Sequence, residues 1–131
     1  MSRAVLDSYY AALRAGDFAT LERLLTPDVC VQYDGPADVL PWSGRHDGFA
    51  GYRRFLTLVR EALELVEMVP DATVTEGEWI VMMGRGVWRA RSSGREIRVG
   101  STNAFRFRDG LIAEYRVYTD TAAFAALLSS Q

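Results

Sequence analysis

Residues 101–120, S-T-N-A-F-R-F-R-D-G-L-I-A-E-Y-R-V-Y-T-D, read as two antiparallel strands joined at Asp109-Gly110. Asp-Gly between two alternating runs is a strong hairpin signal, because both central residues of the tightest turn need φ > 0. The period of two divides each strand into faces. Asn103, Phe105 and Phe107 share one face of the first strand, and Thr102, Ala104, Arg106 and Arg108 the other. In the second strand Glu114, Arg116, Tyr118 and Asp120 lie on one side, with Ala113, Tyr115, Val117 and Thr119 opposite. Asn103 and Asp120 are the polar groups expected to sit inside an apolar concavity and to carry any chemistry.

Upstream of this hairpin two further strands are expected, about 64–75 and 78–91, turning at Gly77 and at Ser92-Ser93-Gly94 into the strand at 95–108. Gly84 and Gly86 alternate with Met82 and Trp88 on one face of the middle strand. They mark strand bends or the floor of a cavity, and the two can hold together, since bent strands also create concavity. Before these strands the period changes to that of helices. Leu6, Tyr9, Tyr10 and Leu13 form one stripe over residues 3–15, and Gly16 and Asp17 supply a stop and a cap. Phe18, Leu21, Leu24 and Leu25 make a second helix that Thr26-Pro27-Asp28 ends. Val29–Tyr33 alternates as a short strand. Residues 34–45 read as irregular, with Trp42 folding back as a lid or rim, and His46 falls in a solvated turn. Phe49, Tyr52, Phe55, Leu56, Val59 and Leu63 line a third helix, and Ala122–Leu128 form a last helical turn.

Helices followed by a run of antiparallel strands give an α+β architecture, with helices against one side of a curved sheet. Residues 1–131 make one domain with no repeat or linker, long enough to bury a core. The net charge is −2 at pH 7, and all basic side chains except one histidine are arginines spread along the chain. That distribution offers no footprint for nucleic acid or an anionic membrane. No run approaches the roughly 20 apolar residues of a membrane span, and the first residues lack the apolar stretch of a signal peptide. A cytoplasmic location is expected. Cys30 is the only cysteine and reads as a buried thiol. One histidine and no cysteine cluster give no metal-ligand spacing, so neither metal nor cofactor is expected.

Three segments, Y-Y-A-A-L-R-A-G-D-F-A-T-L-E-R-L-L-T-P-D-V, L-P-W-S-G-R-H-D-G-F-A-G-Y-R-R-F and F-R-F-R-D-G-L-I-A-E-Y-R-V-Y-T-D, resemble the nuclear transport factor 2-like superfamily. That group includes ketosteroid isomerases, SnoaL-like polyketide cyclases, limonene epoxide hydrolase and scytalone dehydratase. The resemblance implies a cone-shaped domain, a strongly bent and mostly antiparallel sheet wrapping N-terminal helices around an apolar pocket. It also implies a homodimer through the outer sheet face. It is specific for fold and weak for activity, because one fold hosts many chemistries.

Carried over residue by residue, the isomerase pattern puts its oxyanion-holding tyrosine on Tyr9 and its protonated aspartate, the second donor to the oxyanion, on Asn103. Asparagine donates without any pKa shift. The base position falls on Tyr33. The epoxide hydrolase pattern matches at Asp120, but its arginine and second aspartate fall on Gly84 and Gly86. SnoaL-like cyclases resemble the chain at Asp120, where one aspartate serves as acid/base. The catalytic candidates are therefore Asp120, Tyr9 and Asn103, and Tyr33, Trp42, Met82, Trp88, Phe105 and Tyr118 are the candidate pocket residues. Each has a plainer role. Tyr9 can be a core phenol, Asn103 a strand-end amide, and Asp120 the cap of the last helix. The expected function is isomerisation or cyclisation of an apolar oxygenated substrate (polyketide, steroid-like or terpenoid), the competing one a non-catalytic ligand-binding or assembly module.

Overall fold

The Asp109-Gly110 turn forms as its residue types require: φ is 54° at Asp109 and 78° at Gly110. The computed structural model of the chain describes residues 2–129. Its elements in order are α1 (Ser2–Ala15), α2 (Phe18–Leu24), β1 (Leu25–Tyr33), β2 (Gly44–Asp47), α3 (Gly48–Ala62), β3 (Leu63–Glu76), β4 (Trp79–Ala90), β5 (Glu96–Arg108), β6 (Leu111–Thr119) and α4 (Thr121–Ser129). The strands form one six-stranded sheet in the order β2-β1-β6-β5-β4-β3. Only the β1–β6 pair is parallel. The result is an α+β fold in which helices pack on a curved sheet that does not close.

Local chemistry accounts for the helix ends. Gly16 takes φ +69°, and the Asp17 N–H donates to the Ala12 carbonyl at 2.9 Å, which closes α1. The Asp17 carboxylate then accepts from the Thr20 N–H at 3.1 Å and caps α2. Leu6 and Tyr9 of the first stripe are fully buried, with Tyr10 and Leu13 half-buried beside them.

Two segments differ from the reading of the sequence. Thr26-Pro27-Asp28 does not merely end α2, because β1 already begins at Leu25. Proline lacks an N–H to give a ladder, and the β1–β6 register indeed shifts between Leu25 and Cys30. The G-R-H-D segment is a strand, paired with β1 from Cys30↔Asp47 to Tyr33↔Gly44. Four residues are too few to display a period. Trp42 is likewise no lid: it is 1% exposed and belongs to the core with Leu40, Tyr52 and Phe105.

The glycines of β4 serve close packing. A Cβ on Gly84 would stand 2.7 Å from the Val69 carbonyl oxygen, beside the register shift between Pro70 and Ala72. A Cβ on Gly86 would stand 3.1 Å from the Trp88 indole nitrogen. Gly84 thus admits the neighbouring strand, and Gly86 admits the Trp88 ring. Neither lines the large cavity between helices and sheet, although Gly86 borders a smaller hollow with Glu67, Arg85 and Arg98.

Candidate functional site

Between the helices and the concave sheet face lies a cavity of about 680 Å³. Its size is that of pockets that hold small organic ligands. The wall is mostly aromatic and aliphatic: Trp42, Phe55, Leu56, Leu63, Trp88, Val117 and Phe124 all contribute. Besides the charged Arg14, Arg60, Glu64 and Arg91, the polar groups on it are few. Tyr10 comes from α1, Tyr33 from β1, Ser101 and Asn103 from β5, and Tyr115 and Thr119 from β6. Strand alternation explains the β5 and β6 contributions, because residues two apart share the concave face. Asn103 stands opposite Val117 in the hairpin register.

The Tyr115 hydroxyl donates to the Asn103 Oδ1 at 3.1 Å. That bond occupies the amide oxygen and leaves the amide N–H2 without a partner among the described residues. Tyr115 is itself fixed by stacking on Phe105, with centroids 4.8 Å apart and planes at 13°. Burial pushes the hydroxyls of Tyr115, Tyr10 and Tyr33 above the ordinary phenol value, although a hydrogen bond with the Trp42 side chain partly offsets this at Tyr33. At neutral pH these phenols stay protonated, as hydrogen-bond donors. The one carboxylate among the lining residues is Glu64, held by Arg89 at 3.2 Å.

Of the residues singled out from sequence, Tyr33, Asn103, Trp42 and Trp88 line this cavity, and Tyr9, Met82, Phe105, Tyr118 and Asp120 do not. The placement of Asp120 is corrected. Its side chain is exposed, its Oδ1 accepts from the Ala123 N–H at 3.1 Å, and it caps α4. The physical reason is the strand period, which puts position 120 on the outer face with Glu114, Arg116 and Tyr118. Arg116 does not pair with Asp120; its partners are Glu114 and, at 3.5 Å, the Tyr118 hydroxyl.

Tyr9 is corrected as well. It is 1% exposed and accepts from the Tyr52 hydroxyl at 2.8 Å, behind the cavity wall. Phe105 is fully buried beneath Tyr115, Met82 packs half-buried on the core, and Tyr118 is 43% exposed on the outer face. His46 is half-buried, donates from Nε2 to the Trp42 carbonyl at 2.7 Å and packs on Phe55. Its chief role here is to hold the Trp42 segment.

Sequence reasoning passed over Tyr10, Glu64 and Tyr115. Tyr115 was legible, since it shares a face with Val117 and Thr119 and lies opposite charged Glu114 and Arg116. Nothing in the sequence marks Glu64, an ordinary charge at the start of a strand. Among the described residues no three His, Cys, Asp or Glu side chains gather as a metal site. No helix among them is long and apolar enough to cross a membrane.

Comparison with solved structures places the fold. An NTF2-like protein from Burkholderia xenovorans LB400 matches with a TM-score of 0.87 at 25% identity, over 98% of this chain and 95% of that one. An NTF2-like protein of unknown function from Burkholderia pseudomallei K96243 gives 0.86 at 23%, over 98% of each chain. A protein provisionally assigned as an isomerase from Rhodopseudomonas palustris gives 0.85 at 17%, over 97% of each. No curated protein matches the chain. The family model of the SnoaL-like domain matches residues 6–115, most of the sequence, and the chain therefore belongs to the SnoaL-like domain family.

Proposed function

We propose that this protein binds an apolar, oxygenated ring compound of the polyketide, steroid-like or terpenoid kind in the cavity and catalyses proton transfer beside its carbonyl group. The outcome of that chemistry is isomerisation or cyclisation. The observation that carries the reading is the Tyr115–Asn103 hydrogen bond, which turns an ambivalent amide into a fixed donor within an apolar cavity. Such preorganised donors stabilise an oxyanion most where water is excluded. Removal of a proton from the carbon next to the carbonyl sends its electron pair to the carbonyl oxygen. In this reading the Asn103 amide and the Tyr33 hydroxyl, whose residues flank Val117 in the sheet register, hold the resulting enolate. The proton passes to solvent and returns to another carbon, or the enolate closes a ring. The one lining carboxylate, Glu64, pairs in register with Arg89, seven residues along β4 from the Met82 that faces Asn103, and stands too far away to take it.

The test uses 2-tetralone, an enolisable bicyclic ketone, in deuterated buffer. The proposal expects protein-dependent exchange of its α-protons above the buffer rate, reduced about 100- to 1,000-fold in Asn103→Leu, the usual cost of removing an oxyanion donor. Exchange at the buffer rate with saturating protein contradicts catalysis.

A second reading, non-catalytic ligand binding, has a specific observation in its favour: Arg89 holds the cavity's carboxylate, and Asp120 is spent on a helix cap. Binding of the ketone without exchange identifies it. For assembly we propose a second copy of the chain against the outer sheet face, where Met83, Thr102 and Tyr118 align across β4, β5 and β6 and the first and last are large and exposed. Sedimentation of Met83→Asp as a monomer beside a dimeric parent supports that contact, and a monomeric parent contradicts it.

A further inference from the structure

We infer that the compound held in the cavity is an organic anion, a ring system whose carboxylate lies at the mouth against Arg14 and Arg91 while its carbonyl end points inward. This rests on the binding part of the reading above and adds the substrate's charge to it.

The cavity is asymmetric in polarity. Its inner wall is built of buried groups such as Tyr33, Trp42, Phe55 and Leu63, whereas Arg14, Ala15, Gly16 and Arg91 on one side of the rim and the apolar Leu65 and Met68 on β3 are exposed and mark where it meets solvent. Three arginines converge there. Arg14 comes from the last turn of α1, Arg60 from the last turn of α3, and Arg91 from the first residue after β4. The chain path requires the convergence, because the Arg91 N–H donates to the Ala62 carbonyl at 3.0 Å and Arg91 Nε to the Arg60 carbonyl at 2.6 Å. Arg60 in turn donates from Nη2 to the Leu13 carbonyl at 2.6 Å, one residue before Arg14.

What these arginines lack is a counter-charge. On the sheet, Arg85 pairs with Asp71, Arg89 with Glu64 and Glu96, Arg106 and Arg116 with Glu114, and Arg108 with Asp28. Arg14, Arg60 and Arg91 form no ion pair among the described residues. Neither do Arg23, Arg53, Arg54, Arg95 and Arg98, but these do not line the cavity. The one carboxylate that lines the cavity, Glu64, is already answered by Arg89. Arg60 is partly satisfied at the negative end of α1, where a cation is favourable. The Arg14 side chain makes no hydrogen bond among the described residues, and that of Arg91 uses only its Nε, so their remaining guanidinium N–H groups are available. Guanidinium groups present paired donors that match a carboxylate. A neutral ligand would leave that chemistry idle; a carboxylate at the end of an apolar ring body uses both halves of the site.

The test compares two probes that differ in one charge, 2-tetralone-6-carboxylic acid and its methyl ester. Binding is read by fluorescence, since Trp42 and Trp88 both line the cavity. The acid is expected to bind about tenfold or more tightly than the ester at low salt, as charge-assisted contacts do. Added salt narrows the gap. Arg14→Gln and Arg91→Gln each remove most of the acid's advantage and leave the ester's affinity unchanged, while Arg14→Lys retains part of it. Arg14→Gln alters an exposed side chain without a partner, and the unchanged ester affinity shows that the variant is folded. Equal affinities for acid and ester overturn the inference and leave the binding reading intact. So does an acid preference that survives both glutamine variants. If neither probe binds, this inference and the binding reading fall together.

Discussion

The Tyr115 hydroxyl donates to the side-chain oxygen of Asn103 at 3.1 Å across the β5–β6 hairpin, so that Asn103 shows the cavity an N–H2 group. The two residues are not directly opposite; in the register Tyr115 faces Phe105, and Asn103 faces Val117. The bond is a diagonal one between neighbours on one concave face, within the reach of a long aromatic side chain.

Tyr115→Phe removes the group that fixes the amide. Loss of one part-buried hydrogen bond costs about 1 kcal/mol of stability or less. The sharper consequence is functional, because Asn103 is then free to turn its oxygen inward and repel a carbonyl. Ligand affinity for ketones is expected to fall more in Tyr115→Phe than in Ser101→Ala, measured by the same fluorescence titration.

Asp120→Ala separates the cap from the cavity. The expected cost is about 0.5–2 kcal/mol, the usual value for an N-cap, with Asp120→Asn close to the parent. Ketone binding and any exchange activity should be unchanged in both. A large loss of activity with intact stability would return Asp120 to the site.

Tyr9→Phe and Tyr52→Phe test the buried phenol pair behind the wall. Each breaks the 2.8 Å bond between the hydroxyls and is expected to lower stability by about 0.5–1.5 kcal/mol. Neither should change affinity for a ketone. A selective loss of binding in Tyr9→Phe would place that hydroxyl in the cavity after all.

Alkaline pH should destabilise the fold steeply. Burial raises the hydroxyls of Tyr9, Tyr10, Tyr33, Tyr52 and Tyr115 above the ordinary value of 10.0. Above pH 10 the unfolded chain gives up these protons while the folded chain keeps them, so the unfolded state binds fewer protons and stability falls as pH rises. Below pH 10 the contribution is fully present. Each such tyrosine adds up to about 1.4 kcal/mol per pH unit to the slope. Urea unfolding at pH 8, 9 and 11 checks it: little change over the first interval and a marked loss over the second. A flat response through pH 11 would contradict the burial of these phenols.

Gly84→Ala should destabilise by about 1–3 kcal/mol, as overpacking does. The added Cβ would meet a backbone oxygen, Val69 O, at 2.7 Å, and a backbone cannot rotate aside as a side chain can. Gly100→Ala, where the nearest atom would be 4.0 Å away, serves as the tolerant control.

The hairpin, the helix stripes and the α+β order were legible because period and turn chemistry act locally. Asp109-Gly110 and Gly16-Asp17 took the conformations their residue types favour. Strand β2 was not legible: its four residues gain their identity from pairing with β1, a contact remote from their own composition. For the site, Asn103, Tyr33, Trp42 and Trp88 line the cavity, while Tyr9 was drawn in by resemblance to other members of the fold and Asp120 was expected in the concavity from the end of its own strand. The period had already set Asp120 beside Glu114 and Arg116, against the concave face that Tyr115 and Val117 share. The missed mouth arginines come from the ends of separate elements, and only the folded chain brings them together.

Asn103 is the sole asparagine of the chain, so asparagine-selective ¹⁵N labelling yields a single side-chain amide pair. Titration of that protein with 2-tetralone, followed by amide NMR, tests the central claim most directly. The account predicts a saturable shift of the Asn103 N–H2 signals that tracks the quenching of tryptophan fluorescence. Saturated quenching with those two signals unmoved would contradict it.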